Sequence, residues 1–320
     1  MKPLIRVGLV VTGLLVVFSL SLSILLLRGL FVRTSAGEPS RETDLAHFSL
    51  FVPNNRNDAL ESLINGAKDT ATALGVALSI HPLDTRATAL HMARWTKING
   101  VIIFSDGDEN LILSKIETLR ADKIPVVLIN HNIHSERPWP FVGTNNFDLG
   151  KKASSLINKE LSSELRIAVL YTDKNPAVRS ERELVEMGVF SGLNGIPSTI
   201  IPSGRIAINP RDAENRIYEL VRNNPKLHVI IFTDPEDTLA GTQALVDLNL
   251  VGRVQIIGYG DTPEIREYIR KGIINGSLST NARLTGEQAV QSLLELYKSG
   301  YTSNSVDIGI DILTKESIKK

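Results

Sequence analysis

The chain has no cysteine among its 320 residues. That excludes disulfides, thiolate metal sites, a cysteine nucleophile and an acylated-cysteine membrane anchor, and leaves the redox compartment open. Net charge of either sign is also missing, since 35 basic residues balance 35 acidic ones. A chain-wide basic field of the kind that holds nucleic acid is therefore absent. Catalytic signatures are missing as well. No G-x-S-x-G elbow, G-x-G-x-x-G turn or phosphate-binding G-x-x-x-x-G-K-[ST] loop occurs. The six histidines, His47, His81, His91, His131, His134 and His228, are dispersed without H-E-x-x-H spacing. His131, His134 and Glu136 form a sparse grouping that falls short of a metal site. No enzyme, no cofactor and no bound metal are expected.

Long hydrophobic runs are likewise scarce, with one exception. Val7–Leu27 is 21 residues without a charge, preceded by Lys2 and Arg6. That length spans a bilayer core as a helix. A cleaved signal peptide is the competing reading, with Thr34-Ser35-Ala36 before Gly37 as a weak cleavage site. The run is longer than a usual signal core, and Arg28 and Arg33 intervene, so residues 1–33 are expected to be a single-pass anchor. Residues 34–46, polar with Pro, Gly and Ser, read as a tether. The rest of the chain is then extracytoplasmic, at the cell membrane, in the periplasm or on the cell surface.

From Phe48 onward, short apolar segments alternate with amphipathic ones. Strands are expected near 48–52, 76–80, 101–104, 126–129, 166–170, 198–201, 228–232, 254–258 and 276–279. After Asn57 a helix turns Leu60, Leu63, Ile64, Ala67, Ala71 and Leu74 inward and ends at Gly75, a left-handed cap. A later helix starts at TGEQ, where Thr285 and Gln288 read as a capping box. Met92 and Trp95 flank a helix and read as packing residues. Nine strands alternating with helices predict an α/β fold with parallel sheets covered on both faces.

The most informative stretch is Asn99–Gly150. Val101–Phe104 reads as a strand buried on both faces. Ser105-Asp106-Gly107-Asp108 is turn chemistry, with Asp108 placed to cap a helix carrying Leu111, Ile112, Ile116 and Leu119 inward. Val126–Ile129 follows as the next strand, with Asn130-His131-Asn132 at its end. Ligands of open α/β sheets bind beyond the carboxyl ends of the strands. Ser105, Asp106, Asn130 and His131 are thus candidates to meet a polar ligand.

The same stretch, with "KIPVVLIN" and "VGTNNFDLGKKAS", resembles the type I periplasmic sugar-binding proteins of the ribose- and galactose-binding kind. Residues 48–75 resemble that family's first strand, loop and helix, and residues 254–290 its late "strand–G-x-D–TPE–helix" signature. The likeness runs collinearly over roughly residues 47–320 and implies two lobes joined by a three-strand hinge. Lobe 1 would comprise 47–144 with 281–310, and lobe 2 would comprise 145–280 with 311–320. The chain would cross near 144–146, 279–281 and 308–311.

Carried over position by position, the resemblance places ligand contacts at Asn54, Asn55, Arg56, Asn57, Asp84 or Thr85, Asn130, His131, Arg182, Asp234, Tyr259, Asp261, Thr280 and Asn281. Planar amides, carboxylates and guanidinium groups suit sugar hydroxyls. Each is also a residue type that favours turns and caps. The first loop lacks the family's aromatic pair, and an Asp-Arg pair is replaced by Asn130-His131. The late aspartate, Asp261, comes one place late. Tyr171, Trp139, Phe141 and Tyr259 are the rings available instead. The implied function is capture of a sugar-like small molecule for an ABC-type importer. The second reading is a membrane-tethered, chemosensing subunit for a sensor histidine kinase. A repressor core shares the fold, but a membrane segment stands where its DNA-binding helix-turn-helix is needed, so no nucleic-acid partner is expected.

Overall fold

A computed structural model describes residues 45–320, except 55, 85, 106–107, 134, 162–163, 172–177, 202–209 and 320, together with Ser19 and Ser21. The chain divides into two units, 1–45 and 46–320. In the first, the two serines are helical and exposed. The expected anchor therefore lies outside the described residues, and no described helix is long and apolar enough to cross a membrane.

The second unit contains two six-stranded sheets. The first sheet comprises β1 (His47–Pro53), β2 (Ala77–Leu83), β3 (Gly100–Phe104), β4 (Val126–Ile129), β5 (Phe141–Gly143) and β11 (Ser305–Asp307). The second comprises β6 (Leu165–Leu170), β7 (Ser198–Ile201), β8 (Val229–Phe232), β9 (Gln255–Tyr259), β10 (Gly276–Ser279) and β12 (Asp311–Leu313). Their orders, β2-β1-β3-β4-β5-β11 and β7-β6-β8-β9-β10-β12, repeat one plan. All pairings are parallel except β10 with β12.

Val, Ile and Leu dominate the central strands because helices cover both of their faces. Every residue of β4 and β8 is buried. In the first sheet one face carries Phe48, Leu50, Ile102 and Val127, and the other carries Ile103, Val126 and Leu128. The second sheet has the same two-sided core, with Ala168, Ile230 and Ile256 on one side and Ile167, Val229 and Ile257 on the other.

Nine α-helices connect the strands among the described residues: α1 (Asp58–Ala73), α2 (Thr88–Ala93), α3 (Glu109–Ala121), α4 (Asn146–Ser155), α5 (Val178–Gly192), α6 (Pro210–Asn223), α7 (Pro235–Asp247), α8 (Pro263–Arg270) and α9 (Ala282–Ser299). The chain passes between the sheets at 144–145, 280–281 and 308–310. The nine expected strands are present. The three-residue strands β5, β11 and β12, which flank the crossings, were not foreseen.

Four sequence expectations change. Helix α9 begins at Ala282, where the Asn281 side chain accepts from Leu284 N–H; Thr285 lies inside the helix, buried, so it caps nothing. Leu74 is exposed because it is the C-cap of α1, where the chain turns toward Gly75 at φ 67°. Met92 and Trp95 are 63% and 79% exposed and do not pack in the core. Trp139 does, at 4% exposure, beneath the Arg120 guanidinium. It lies in the loop before β5 and packs in the same core cluster as Ile133 and Phe141.

Candidate functional site

In both sheets the order reverses beside the first strand, between β1 and β3 and between β6 and β8. Loops leaving such strands diverge and open a crevice at their carboxyl ends. The polar residues singled out from the sequence lie at these ends, and the structure separates them by what their side chains already hold.

In the first sheet, Asn54 is exposed just past β1. Arg56 bonds Glu61 of α1 at 3.1 Å. Asn57 caps that helix, accepting from Leu60 N–H at 2.9 Å. Asp84, beyond the edge strand β2, accepts from Thr88 N–H at 2.7 Å and is tied to α2. Asn55, Thr85 and Asp106 lie outside the described residues.

Ser105 is 1% exposed. Its hydroxyl meets the carbonyls of Ile129, at 2.9 Å, and His131, and it accepts from His131 N–H at 3.0 Å. It therefore ties the β3 loop to the β4 loop, and its hydrogen-bonding capacity is used within the protein. Asn130, exposed and in the left-handed region at φ 79°, donates its amide to Ser105 O at 3.2 Å.

From the second sheet, α5 brings Glu181 and Arg182. Glu181 Oε2 lies 2.8 Å from His131 Nδ1, so the end of β4 and the start of α5 meet across the two sheets. Arg182 donates from Nε to Glu186 at 2.8 Å and stands over the Tyr171 ring. Asp234 caps α7 through Glu236 N–H (2.8 Å) and Asp237 N–H (3.1 Å). Tyr259, at the end of β9, holds its hydroxyl 3.5 Å from Thr280 Oγ1. Burial raises the Tyr259 phenol above its ordinary range, as does the charge of Asp234, while Thr280 opposes the shift. Asp261 forms a two-pronged ion pair with Arg266, one arm at 2.7 Å.

The structure thus brings together three groups: Ser105, Asn130 and His131; Glu181 with His131; and Tyr259 with Thr280. Arg56, Asp84 and Asp261 are turned toward their own helices, and Asn57, Asp234 and Asn281 act as caps. Glu181 was missed, because an acid in a helical first turn reads as a solvated face. Its signal was adjacency to Arg182. Among the described residues no three His, Cys, Asp or Glu side chains gather to hold a metal ion.

The family model for the periplasmic binding protein domain matches residues 48–301. The chain belongs to the periplasmic-binding-protein family. Members of that family bind solutes, and the chain is a binding protein and not an enzyme. A glucose-galactose binding protein from Geobacillus stearothermophilus shares the fold with a TM-score of 0.75, 21% identity, and 86% of this chain covered against 99% of that one. An ABC transporter periplasmic solute binding protein from Actinobacillus succinogenes, with bound D-allose, gives 0.74 at 17% identity over 86% and 99%. An arabinose binding protein from Geobacillus stearothermophilus gives 0.70 at 20% identity over 86% and 98%. No curated protein matches the chain by sequence. The fold is the two-lobed type I periplasmic-binding-protein fold, with lobe 1 built on the first sheet and lobe 2 on the second.

Proposed function

We propose that this protein captures a sugar or sugar-like small molecule between its two lobes, outside the cytoplasm, and delivers it to an ABC-type importer. The observation that carries the reading is the meeting of His131, from lobe 1, with Glu181, from lobe 2, at the carboxyl ends of both sheets. Polar side chains from both lobes can therefore reach one small ligand. The solutes bound by or named for solved proteins of the same fold, glucose-galactose, D-allose and arabinose, support a sugar as the ligand class. Asn130, His131, Glu181, Arg182, Tyr259 and Thr280 are the residues favoured to touch it. Asn54, Asp234 and Asn281 border it.

A second reading is supported by the uncharged run Val7–Leu27 and by the missing cysteine. An importer's receptor held by a lipid needs an acylated cysteine, whereas a transmembrane anchor suits a sensor subunit beside a membrane histidine kinase. Under this reading residues 1–33 stay attached and the same cleft serves sensing. A thermal-shift screen of the protein against pentoses, hexoses and inositols tests the ligand class. A rise in melting temperature with one of them, confirmed by calorimetry, is expected; uniform silence would refute a sugar. Co-purification from membranes with a permease and ATPase, or instead with a histidine kinase, separates the two roles.

A further inference from the structure

We propose that His131 and Glu181 form a proton-dependent latch that holds the two lobes together in the absence of solute and that an entering solute has to displace. The inference rests on the reading of the cleft as a solute site and adds Glu181 to it as a controlling residue. Their bond is 2.8 Å long, and the two side chains are 28% and 15% exposed, so solvent screens it only in part. His131 belongs to the loop after β4 and Glu181 to the first turn of α5, on opposite sheets. The bond therefore exists only when the lobes are close. A contact made in one of two conformations shifts their balance by its whole worth.

Protonation governs that worth. An imidazolium beside a carboxylate makes a charge-assisted bond about twice as strong as a neutral one, and histidine changes charge near neutral pH. Protonating His131 favours the form in which it meets Glu181. A charged imidazole holds Glu181 more tightly than a neutral one, so acid favours the closed form and alkali weakens it.

The backbone on the lobe 1 side is fixed. His131 N–H bonds Ser105 Oγ at 3.0 Å, and Asn130 reaches Ser105 O. On α5, Arg182 is paired with Glu186 at 2.8 Å and so does not replace His131 as the partner of Glu181 in this conformation. The other titratable or charged groups on the elements converging here are Arg179 and Glu183 on α5, Asp108, which caps α3, Tyr171 at the end of β6, and Asp234, which caps α7, while Asp106 in the loop after β3 lies outside the described residues. Glu136 and Arg137 follow in the loop after β4, where His134 lies outside the described residues.

The cysteine-free chain allows a direct test. Spin labels attached to Met92→Cys in lobe 1 and Lys271→Cys in lobe 2, both exposed positions, report the interlobe distance in solute-free full-length protein. The short-distance population relative to the long one is expected to be about five- to tenfold larger at pH 6 than at pH 8. Glu181→Gln and His131→Asn should each abolish that difference, and His134→Asn should keep it. His131→Glu combined with Glu181→His should restore it. Identical distributions at the two pH values, or a pH difference that survives Glu181→Gln, would overturn the latch. Because no solute is present, failure here leaves the thermal-shift test of the sugar reading intact, and a silent sugar screen leaves the latch untouched.

Discussion

The guanidinium carbon of Arg182 lies 5.4 Å from the centroid of the Tyr171 ring, whose hydroxyl donates to the Arg182 carbonyl at 3.3 Å. The ring and the Glu186 carboxylate thereby orient a cation at the start of α5, next to Glu181, which meets His131 of lobe 1. An oriented guanidinium binds sugar hydroxyls at little entropic cost. Arg182→Ala is expected to weaken solute binding at least about tenfold, the worth of one hydrogen bond to a charged group. Calorimetry with the solute found in the screen measures it, and unchanged affinity would remove Arg182 from the site.

Burial raises the Tyr171 phenol well above its ordinary range, helped by the Glu186 charge and opposed by Arg182. Tyr259 is raised in the same direction. The folded protein then keeps both protons where the unfolded chain loses them. The stability they contribute is complete below about pH 10, the ordinary phenol value, and is lost as pH rises above it. Ultraviolet titration should show these two phenols ionising only together with unfolding. Tyr171→Phe and Tyr259→Phe should flatten the alkaline loss. A smooth titration of all six tyrosines near pH 10 in folded protein would contradict this.

Each lobe holds one close helix crossing that depends on glycine. A Cβ on Gly188 of α5 would fall 2.0 Å from Phe147 O of α4, and one on Gly286 of α9 would fall 2.0 Å from Leu63 O of α1. Backbone cannot yield as a flexible side chain can. Gly188→Ala and Gly286→Ala should each cost about 1–3 kcal/mol or more through overpacking. Gly300 has open space around it but sits at φ 75° as the cap of α9. Gly300→Ala should cost only about 1–2 kcal/mol, from the left-handed backbone. Denaturant midpoints of the three variants separate crowding from strain.

The start of α9 separates two capping arrangements. With Asn281 as the cap, Asn281→Ala should destabilise by about 0.5–2 kcal/mol. Gln288→Ala, at a site that a capping box from Thr285 would have made critical, should stay within about 0.5 kcal/mol. The reverse ranking in thermal melts would restore the later start.

Runs such as Val101–Phe104 and Val126–Ile129 were legible because a strand buried on both faces has to be apolar throughout. The crossing strands were not, because three residues carry no period and their pairing is remote; Phe141 N–H finds Asn304 O. Within the site, residue types were legible while their commitments were not. Asn57, Asp84, Asp234 and Asn281 look like ligand groups, yet each bonds helix N–H groups, because a short polar side chain suits both tasks. Met92 is exposed because α2 is six residues long and buries only Leu90 and Ala93, and Trp95 is exposed past the end of that helix. The bulk of a side chain does not reveal which face a short helix turns outward.

Asn130 gives the sharpest test of the cleft, provided the substitution respects its backbone. At φ 79° it sits where a Cβ is strained and where Asn and Gly are the residues best tolerated. Asn130→Ala would therefore mix a conformational cost of about 1–2 kcal/mol with any loss of ligand contact. Asn130→Gly removes the same amide and relaxes the backbone. The amide nitrogen donates to Ser105 O at 3.2 Å, which leaves the amide oxygen as the acceptor a sugar hydroxyl would meet. Asn130→Gly should melt within a few degrees of the parent and bind the solute at least about tenfold more weakly. Asn130→Asp keeps an acceptor and replaces the donor to Ser105 O with a charge, so it should retain part of the affinity while losing stability. If Asn130→Gly binds as tightly as the parent, the amide faces no ligand, and its role is confined to holding the β3 and β4 loops together.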